Sequence, residues 1–178
     1  MVPVVIAVVG GKKSGKTATI EILTKELTQR GYKIAAVKHI PEPDFTIDTK
    51  GKDTWKFARS GAKIVVAVSA VEIATIEKVE SRNLSLRAIL RKCRGSDLVF
   101  LEGFRKLVAE NKSIYKIAVV KSPEEIAESL EIFNPILAFT GPYQPKSGLK
   151  RIPYVDIRKD SERLADLVER IVKKEAAT

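Results

Sequence analysis

The hydrophobic residues of this chain are grouped in short runs, and the segments between the runs are polar or amphipathic. The first run covers residues 2–9 and ends at a pair of glycines. The next segment has aliphatic residues at helical spacing, at Ile20, Leu23 and Leu27, before Gly31 interrupts it. This order predicts a buried strand, a glycine-rich loop and then a helix.

The same alternation continues to the end of the chain. Runs rich in aliphatic and β-branched residues predict further strands at residues 33–38, 62–70, 72–79, 97–101, 114–120, 136–139 and 155–157. Helical spacing predicts helices at residues 54–60, 84–93 and 122–130, and a last helix capped by Asp160 or Ser161. Because strands and helices mostly alternate, we expect an α/β fold with a mainly parallel sheet and helices on both faces.

The loop after the first strand has the sequence GGKKSGKT, residues 10–17, which fits the phosphate-binding pattern G-x-x-x-x-G-K-[ST]. Glycines let backbone N–H groups approach a phosphate closely, the lysine of the pattern reaches the β- and γ-phosphates, and the threonine hydroxyl ligates Mg²⁺. A glycine-rich turn with a solvated lysine pair is the alternative. The predicted nucleotide-binding residues are Gly10, Gly11, Lys12, Lys13, Ser14, Gly15, Lys16, Thr17 and Ala18.

A carboxylate at the end of a second buried strand is expected opposite this loop, because Mg²⁺ or its water ligands need an acidic partner across from the threonine. Glu102 follows the apolar run DLVFL and fits best, so Thr17 and Glu102 are the predicted metal ligands. The alternative for Glu102 is a turn before Gly103. His39 and Thr140 are also predicted at carboxyl ends of strands, where ligands of parallel sheets bind.

The long polar segment at residues 40–53 is predicted to be a functional loop, since loops of this length in compact domains usually have a functional role. Its aspartates, Asp44, Asp48 and Asp53, are candidates to ligate Mg²⁺ or to order an attacking water. Turn formation is the alternative for each of them. The predicted catalytic residues are Lys16, Asp48, Asp53 and Glu102.

The composition limits the classes of protein that fit. At 178 residues the chain suits one nucleotide-binding domain over residues 1–178. One cysteine, Cys93, and one histidine, His39, exclude an intrachain disulfide and a cysteine or histidine metal cluster. The net charge of +10 permits nucleic-acid binding, but acidic residues are interspersed and aromatic residues make up only 6%, so nucleic acid is not the expected partner. Since no membrane-spanning run or leader is found, we expect a cytoplasmic protein.

The base of the nucleotide is not fixed by these motifs, because the tetrapeptide Asn-Lys-x-Asp is absent. The loops after the strands at 114–120 and 136–139 are expected to surround it, at residues 121–123 and 140–143. Plain turns are the alternative for both loops.

Four segments in order carry a family resemblance: GGKKSGKT, VKH at residues 37–39, DTKGKDTWKFARSGA at 48–62 and LVFLEGFRK at 98–106. Together they resemble the molybdopterin-guanine dinucleotide biosynthesis adaptor proteins, the MobB family, over residues 2 to about 121. The residues that match the family in the third and fourth of these segments are Asp48, Gly51, Lys52, Asp53, Glu102, Gly103 and Phe104.

The resemblance implies a three-layer αβα sandwich of the P-loop NTPase type that binds GTP with Mg²⁺ and hydrolyses it weakly. It further implies a homodimer that assists a MobA-like molybdenum cofactor guanylyltransferase, with molybdopterin itself as a candidate ligand. The sequence leaves two other functions open. One is a small-molecule kinase of the same fold, and the other is a nucleotide-switched binding module without significant turnover.

Overall fold

The computed structural model describes residues 2–79, 85–145 and 151–177. It divides into two compact units. The sheet unit comprises the chain up to His39 and from Ile89 onward, and the hairpin unit comprises Ile40–Ala88. The expectation of one nucleotide-binding domain over the whole chain stays a prediction. In the part of the chain that is described, no helix is long and apolar enough to cross a lipid bilayer.

Seven strands and six helices are found in the described residues. In chain order they are β1 (Val4–Val9), α1 (Lys16–Gln29), β2 (Ile34–Lys38), α2 (Asp53–Arg59), β3 (Ile64–Val68), β4 (Ile73–Glu77), α3 (Leu86–Lys92), β5 (Leu98–Glu102), α4 (Arg105–Val108), β6 (Tyr115–Val119), α5 (Pro123–Ile132), β7 (Ile136–Thr140) and α6 (Ser161–Ala176). Leu84, the predicted first residue of the third helix, lies outside the described residues.

The sheet unit is built on five parallel strands in the order β2-β5-β1-β6-β7. Consecutive residues of β1 and β5 are buried, which happens only when both faces of a sheet are covered. The prediction of an α/β fold with a mainly parallel sheet and flanking helices is therefore confirmed.

Helices α1 and α6 pack together on one face of this sheet. Their apolar stripes supply fully buried side chains to the core, including Leu23, Leu27, Leu164 and Val168. The predicted helix start at Ser122 is also found: its hydroxyl accepts a hydrogen bond from Glu125 N, and Pro123 is the first helical residue. Asp160 rather than Ser161 caps α6.

The strands predicted at 62–70 and 72–79 exist, but they do not join the parallel sheet. β3 and β4 form a separate antiparallel pair. Ile64, Val66 and Val68 on one face of β3 are 57%, 53% and 72% exposed, whereas Val65 on the other face is buried. A run of β-branched residues favours a strand but does not tell which sheet it joins or what covers it.

Two further expectations about strands were wrong. β2 lies at an edge of the sheet, and none of its residues is buried, although its sequence resembles a buried strand. Residues 155–157 form no strand of their own; within the described part of the chain, this segment meets β7 in an isolated bridge between Tyr154 and Phe139. In both places the position in the sheet, which periodicity does not encode, decides the outcome.

Candidate functional site

The loop between β1 and α1 has a backbone that requires glycine. Gly10 adopts φ 147°, and a Cβ at this position would collide with the carbonyl oxygen of Val119 on the neighbouring strand β6. Gly15, in the left-handed conformation, is the N-cap of α1 and offers no side-chain cap to the first turn. The loop is thus pressed against β6, and the start of α1 is left open to an external acceptor.

The polar groups of this loop fit an anion. Among the described residues, the backbone N–H groups of residues 11–15 have no hydrogen-bond acceptor. The hydroxyl of Ser14 is buried and also lacks a partner in this part of the chain. A buried hydroxyl is normally satisfied, so the Ser14 hydroxyl calls for a ligand acceptor, and unpaired N–H groups beside a helix N-terminus are suited to a phosphate group.

Lys16 extends back over the loop from the first turn of α1. Its Nζ donates to the carbonyl oxygens of Gly11 at 2.6 Å and Gly10 at 3.1 Å. Burial lowers the pKa of Lys16, and the nearby carboxylate of Glu102 opposes that shift. The ammonium group therefore lies at the loop, where a bound phosphate would also lie.

Glu102, the last residue of β5, meets the phosphate loop. Thr17 Oγ1 donates to its carboxylate, at 3.0 Å from Oε2 and 3.1 Å from Oε1. Lys38 at the end of β2 forms an ion pair with Oε1 at 3.1 Å. The carboxylate is 13% exposed, so a hydroxyl and a carboxylate converge at one partly buried point. Oxygen ligands of these two types are those that Mg²⁺ prefers.

The other side of the loop is bordered by Lys121. Its Nζ donates to the carbonyl oxygen of Lys12 at 3.2 Å and lies 3.5 Å from a carboxylate oxygen of Glu125. The predicted binding residues Lys12 and Lys13 are exposed, and Ala18 is half-buried in the first turns of α1. Positive charge therefore surrounds the loop on several elements.

The residues after Glu102 have an unusual backbone. Gly103 and Phe104 both have positive φ, 86° and 54°, which is uncommon for a bulky side chain such as phenylalanine. The Phe104 ring packs against the imidazole of His39, with ring centroids 5.2 Å apart, and His39 N donates to the carbonyl oxygen of Glu102. These contacts hold the end of β5 and the end of β2 together.

A family model described as molybdopterin guanine dinucleotide synthesis protein B matches residues 5–139. The chain belongs to this family, MobB.

Relatives and solved structures agree with the membership. An adapter protein of molybdopterin-guanine dinucleotide biosynthesis from Haemophilus influenzae is 26% identical over 125 residues, which cover 69% of each chain. A Methanocaldococcus jannaschii protein that provisionally carries the same description is 34% identical over 120 residues, covering 67% of this chain. The match spans only 48% of that relative.

The fold is likewise that of MobB structures. A crystal structure of molybdopterin-guanine biosynthesis protein B has a TM-score of 0.71 and 28% identity, and the match covers 95% of this chain and 99% of the other. Bacillus subtilis MobB, at 20% identity, superposes with a TM-score of 0.72 over 93% of this chain and 96% of its own, and it supports the fold alone.

In this MobB-family chain the predicted catalytic aspartates lie in the hairpin unit. Asp48 Oδ1 accepts hydrogen bonds from Thr49 N at 2.8 Å and from Thr54 Oγ1 at 2.9 Å, so it forms the turn that precedes α2. Its Oδ2 is buried without a partner among the described residues. Asp53 is 81% exposed and pairs with Lys56. Their catalytic roles stay predictions.

A cavity of about 520 Å³ adjoins the phosphate loop within the sheet unit. Gly141 and Pro142, from one of the two loops predicted to surround the base, line it, whereas residues 121–123 do not. Asp156 and Lys159 also line it, and the sequence pattern did not single them out. They belong to residues 154–159, a segment that contains no recognisable motif and joins the sheet through the bridge at Tyr154.

Proposed function

We propose that this chain binds GTP with Mg²⁺, hydrolyses it slowly and serves as an adapter in molybdopterin-guanine dinucleotide biosynthesis. The observation that carries the proposal is the contact of Thr17 with Glu102 beside a phosphate loop, in a chain of the MobB family. The names of the relatives support the adapter role. The loop chemistry supports the nucleotide.

The phosphates would be held by the loop and by Lys16. The unpaired N–H groups of residues 11–15 and the Ser14 hydroxyl donate to phosphate oxygens, and the N-terminal dipole of α1 favours the negative charge. Lys16 Nζ, which bonds to two loop carbonyls, is within reach of a phosphate seated in the same loop. Its charge stabilises the anion more strongly because the group is partly buried.

Thr17 and Glu102 would hold the metal, either directly or through water. A bound Mg²⁺ supplies positive charge to the phosphate oxygens during transfer. Lys38 is paired with Glu102 and lies at the same edge of the sheet, so it adds a second positive charge beside the proposed metal site. The described residues thus provide binding and charge neutralisation without a covalent intermediate.

From the sequence motif alone, we assign the positioning of the attacking water to an aspartate of the polar loop. Asp48 is one candidate, with Oδ1 accepting two hydrogen bonds and Oδ2 buried without a partner among the described residues, and exposed Asp53 is the second. Glu102 is already committed to Thr17 and Lys38.

The proposed partners are a second copy of the chain and a molybdenum cofactor guanylyltransferase, with molybdopterin as a candidate ligand. The exposed apolar face of the hairpin, Ile64, Val66, Val68 and Ile73, supports self-association. A two-stranded sheet is marginally stable by itself and its edges offer unpaired backbone groups. Pairing with a second copy would bury this face and cover its edges.

The proposal is tested by calorimetric titration of the full chain with GTP and ATP, with and without Mg²⁺, together with phosphate release. We expect tighter binding of GTP, strengthened by Mg²⁺, and slow release of phosphate. Preference for ATP with phosphoryl transfer to a small acceptor would overturn the proposal in favour of a kinase. Binding without release would identify a nucleotide-switched module. Stimulated dinucleotide formation by the guanylyltransferase is the expected adapter readout.

A further inference from the structure

The cavity beside the phosphate loop has the size and the walls of a nucleoside site. Its volume of about 520 Å³ falls in the range of about 300–1,000 Å³ that is typical of small-molecule pockets. Ser14, Gly15 and Ala18 form one wall and are also part of the phosphate loop or of the first turn after it. For a nucleotide whose phosphates sit in the loop, this cavity is therefore the adjoining space for the rest of the molecule.

The opposite wall is a segment that runs beside the edge strand β7. Val155 N donates to the carbonyl oxygen of Phe139 at 2.9 Å, and Phe139 N donates to that of Pro153 at 2.9 Å. Ile157 N then donates to Thr140 Oγ1 at 3.4 Å. This pairing delivers the next polar residues to the carboxyl edge of the sheet, where the phosphate loop also lies.

Two contacts fix the corner between β7 and this segment. Gly141 has φ 123°, and a Cβ there would collide with the carbonyl oxygen of Val120. The hydroxyl of Tyr154 donates to the carbonyl oxygen of Gly141. Burial, followed by the nearby charge of Asp156, raises the pKa of Tyr154, so the phenol keeps the proton that it donates. Gly141 is therefore packed closely against Val120 and hydrogen-bonded to Tyr154, which fixes this part of the cavity wall.

Asp156 is the acidic residue among the described residues that line the cavity. Its Oδ1 accepts a hydrogen bond from Arg158 N at 3.1 Å, which orients the carboxylate. Its Oδ2 has only a long contact of 3.6 Å with Lys159 Nζ, and the side chain is 29% exposed. A carboxylate oriented by the backbone and weakly paired has acceptor capacity left for a ligand.

We propose that this cavity binds the base and that Asp156 selects guanine. Guanine presents two adjacent donors, N1–H and the 2-amino group, which match the two oxygens of one carboxylate. Adenine presents an acceptor at N1, which would face the negative charge. The inference rests on the proposed function, since the phosphate loop must hold the nucleotide, and it adds the residue that chooses the base.

The test is calorimetric titration of the full chain with GTP, inosine, xanthosine and adenosine triphosphates in the presence of Mg²⁺. The wild-type chain is expected to bind GTP at least about tenfold more tightly than the other three, because each leaves a carboxylate oxygen unpaired or opposed. Asp156→Asn is expected to weaken GTP binding by a similar factor and to bind xanthosine triphosphate better than GTP. The amide NH₂ of asparagine can donate to the 2-oxo group of xanthine.

Glu162→Gln is the matched control, since Glu162 is exposed in the first turn of α6 and does not line the cavity. It should leave all four affinities unchanged. Equal wild-type affinity for the four nucleotides would overturn the inference without any variant, as would an unchanged GTP preference in a folded Asp156→Asn chain. Failure of every triphosphate to bind would instead overturn the proposed function itself.

Discussion

Thr17 Oγ1 lies 3.0 Å from Oε2 of Glu102, although 85 residues separate them in sequence. The contact follows from the parallel pairing of β1 with β5, in which Val8 is opposite Glu102. The strand pairing therefore brings the end of β5 to the loop that begins after Val9. A metal site made from these two groups would be fixed by the most buried part of the sheet.

Replacement of Glu102 by glutamine should impair turnover more than GTP binding. The variant keeps the shape of the side chain but removes the negative charge that faces Thr17 and Lys38. We expect the Mg²⁺ concentration for half-maximal phosphate release to rise about tenfold or more, because the metal loses an anionic partner. Glu128→Gln, at a half-exposed carboxylate paired with Arg105, is the control. An unchanged Mg²⁺ dependence would remove Glu102 from the metal site.

Much of the sheet unit could be predicted because the local sequence motifs and hydrophobic runs matched the burial and secondary structure of the same residues. The motif at residues 10–17 and the capping sequence at 122–125 each act through neighbours in sequence, and both are found as expected. The position of Glu102 was predicted for the same reason, since it directly follows residues 98–101, which are all apolar and buried.

The missed features depend on contacts between distant parts of the chain. The edge position of β2 and the separate hairpin of β3 and β4 are set by strand order, which residue type does not reveal. Asp156 reaches the cavity wall through a short bridged segment with no motif. Nothing in the local sequence distinguishes Lys38 from other lysines, and only the pairing of β2 with β5 places it opposite Glu102.

Disruption of the exposed face of the hairpin should weaken self-association. Val66 is 53% exposed in the middle of β3, so a lysine there is tolerated by the single chain but places a charge in an apolar interface. We expect Val66→Lys to raise the dimer dissociation constant at least about tenfold in sedimentation experiments. Leu130→Lys, at a half-exposed position on α5, is the matched control. A dimer unaffected by Val66→Lys would place the interface elsewhere.

Lys116 is a fully buried lysine at the amino end of β6, away from the phosphate loop. Its Nζ donates to the carbonyl oxygens of Asn111 at 2.6 Å and Asn134 at 2.7 Å. Burial lowers the pKa of Lys116 from its ordinary 10.5 to about 8. Between about pH 8 and pH 10.5 the unfolded chain therefore still carries this proton, whereas the folded chain has largely lost it.

The contribution of Lys116 to stability should consequently rise between about pH 8 and pH 10.5. We compare the free energy of unfolding of the wild type with that of Lys116→Met, so that other titrating groups cancel. The difference is expected to change in favour of the wild type by at most about 1.4 kcal/mol per pH unit in this window. Lys112→Met, at an exposed lysine nearby, should show no such change. A difference independent of pH would mean that the ammonium keeps its ordinary pKa.

The loop at residues 10–17 is proposed to bind the phosphates of GTP, and calorimetric titration of Lys16→Ala with GTP and Mg²⁺ tests this most directly. Lys25→Ala removes an exposed lysine from the same helix and serves as the control. We predict that Lys16→Ala weakens GTP binding at least about tenfold. The melting temperature should not fall, because within the described residues the Lys16 ammonium bonds only to loop carbonyls. Lys25→Ala should bind GTP as the wild type does. Full GTP affinity in Lys16→Ala would contradict the account.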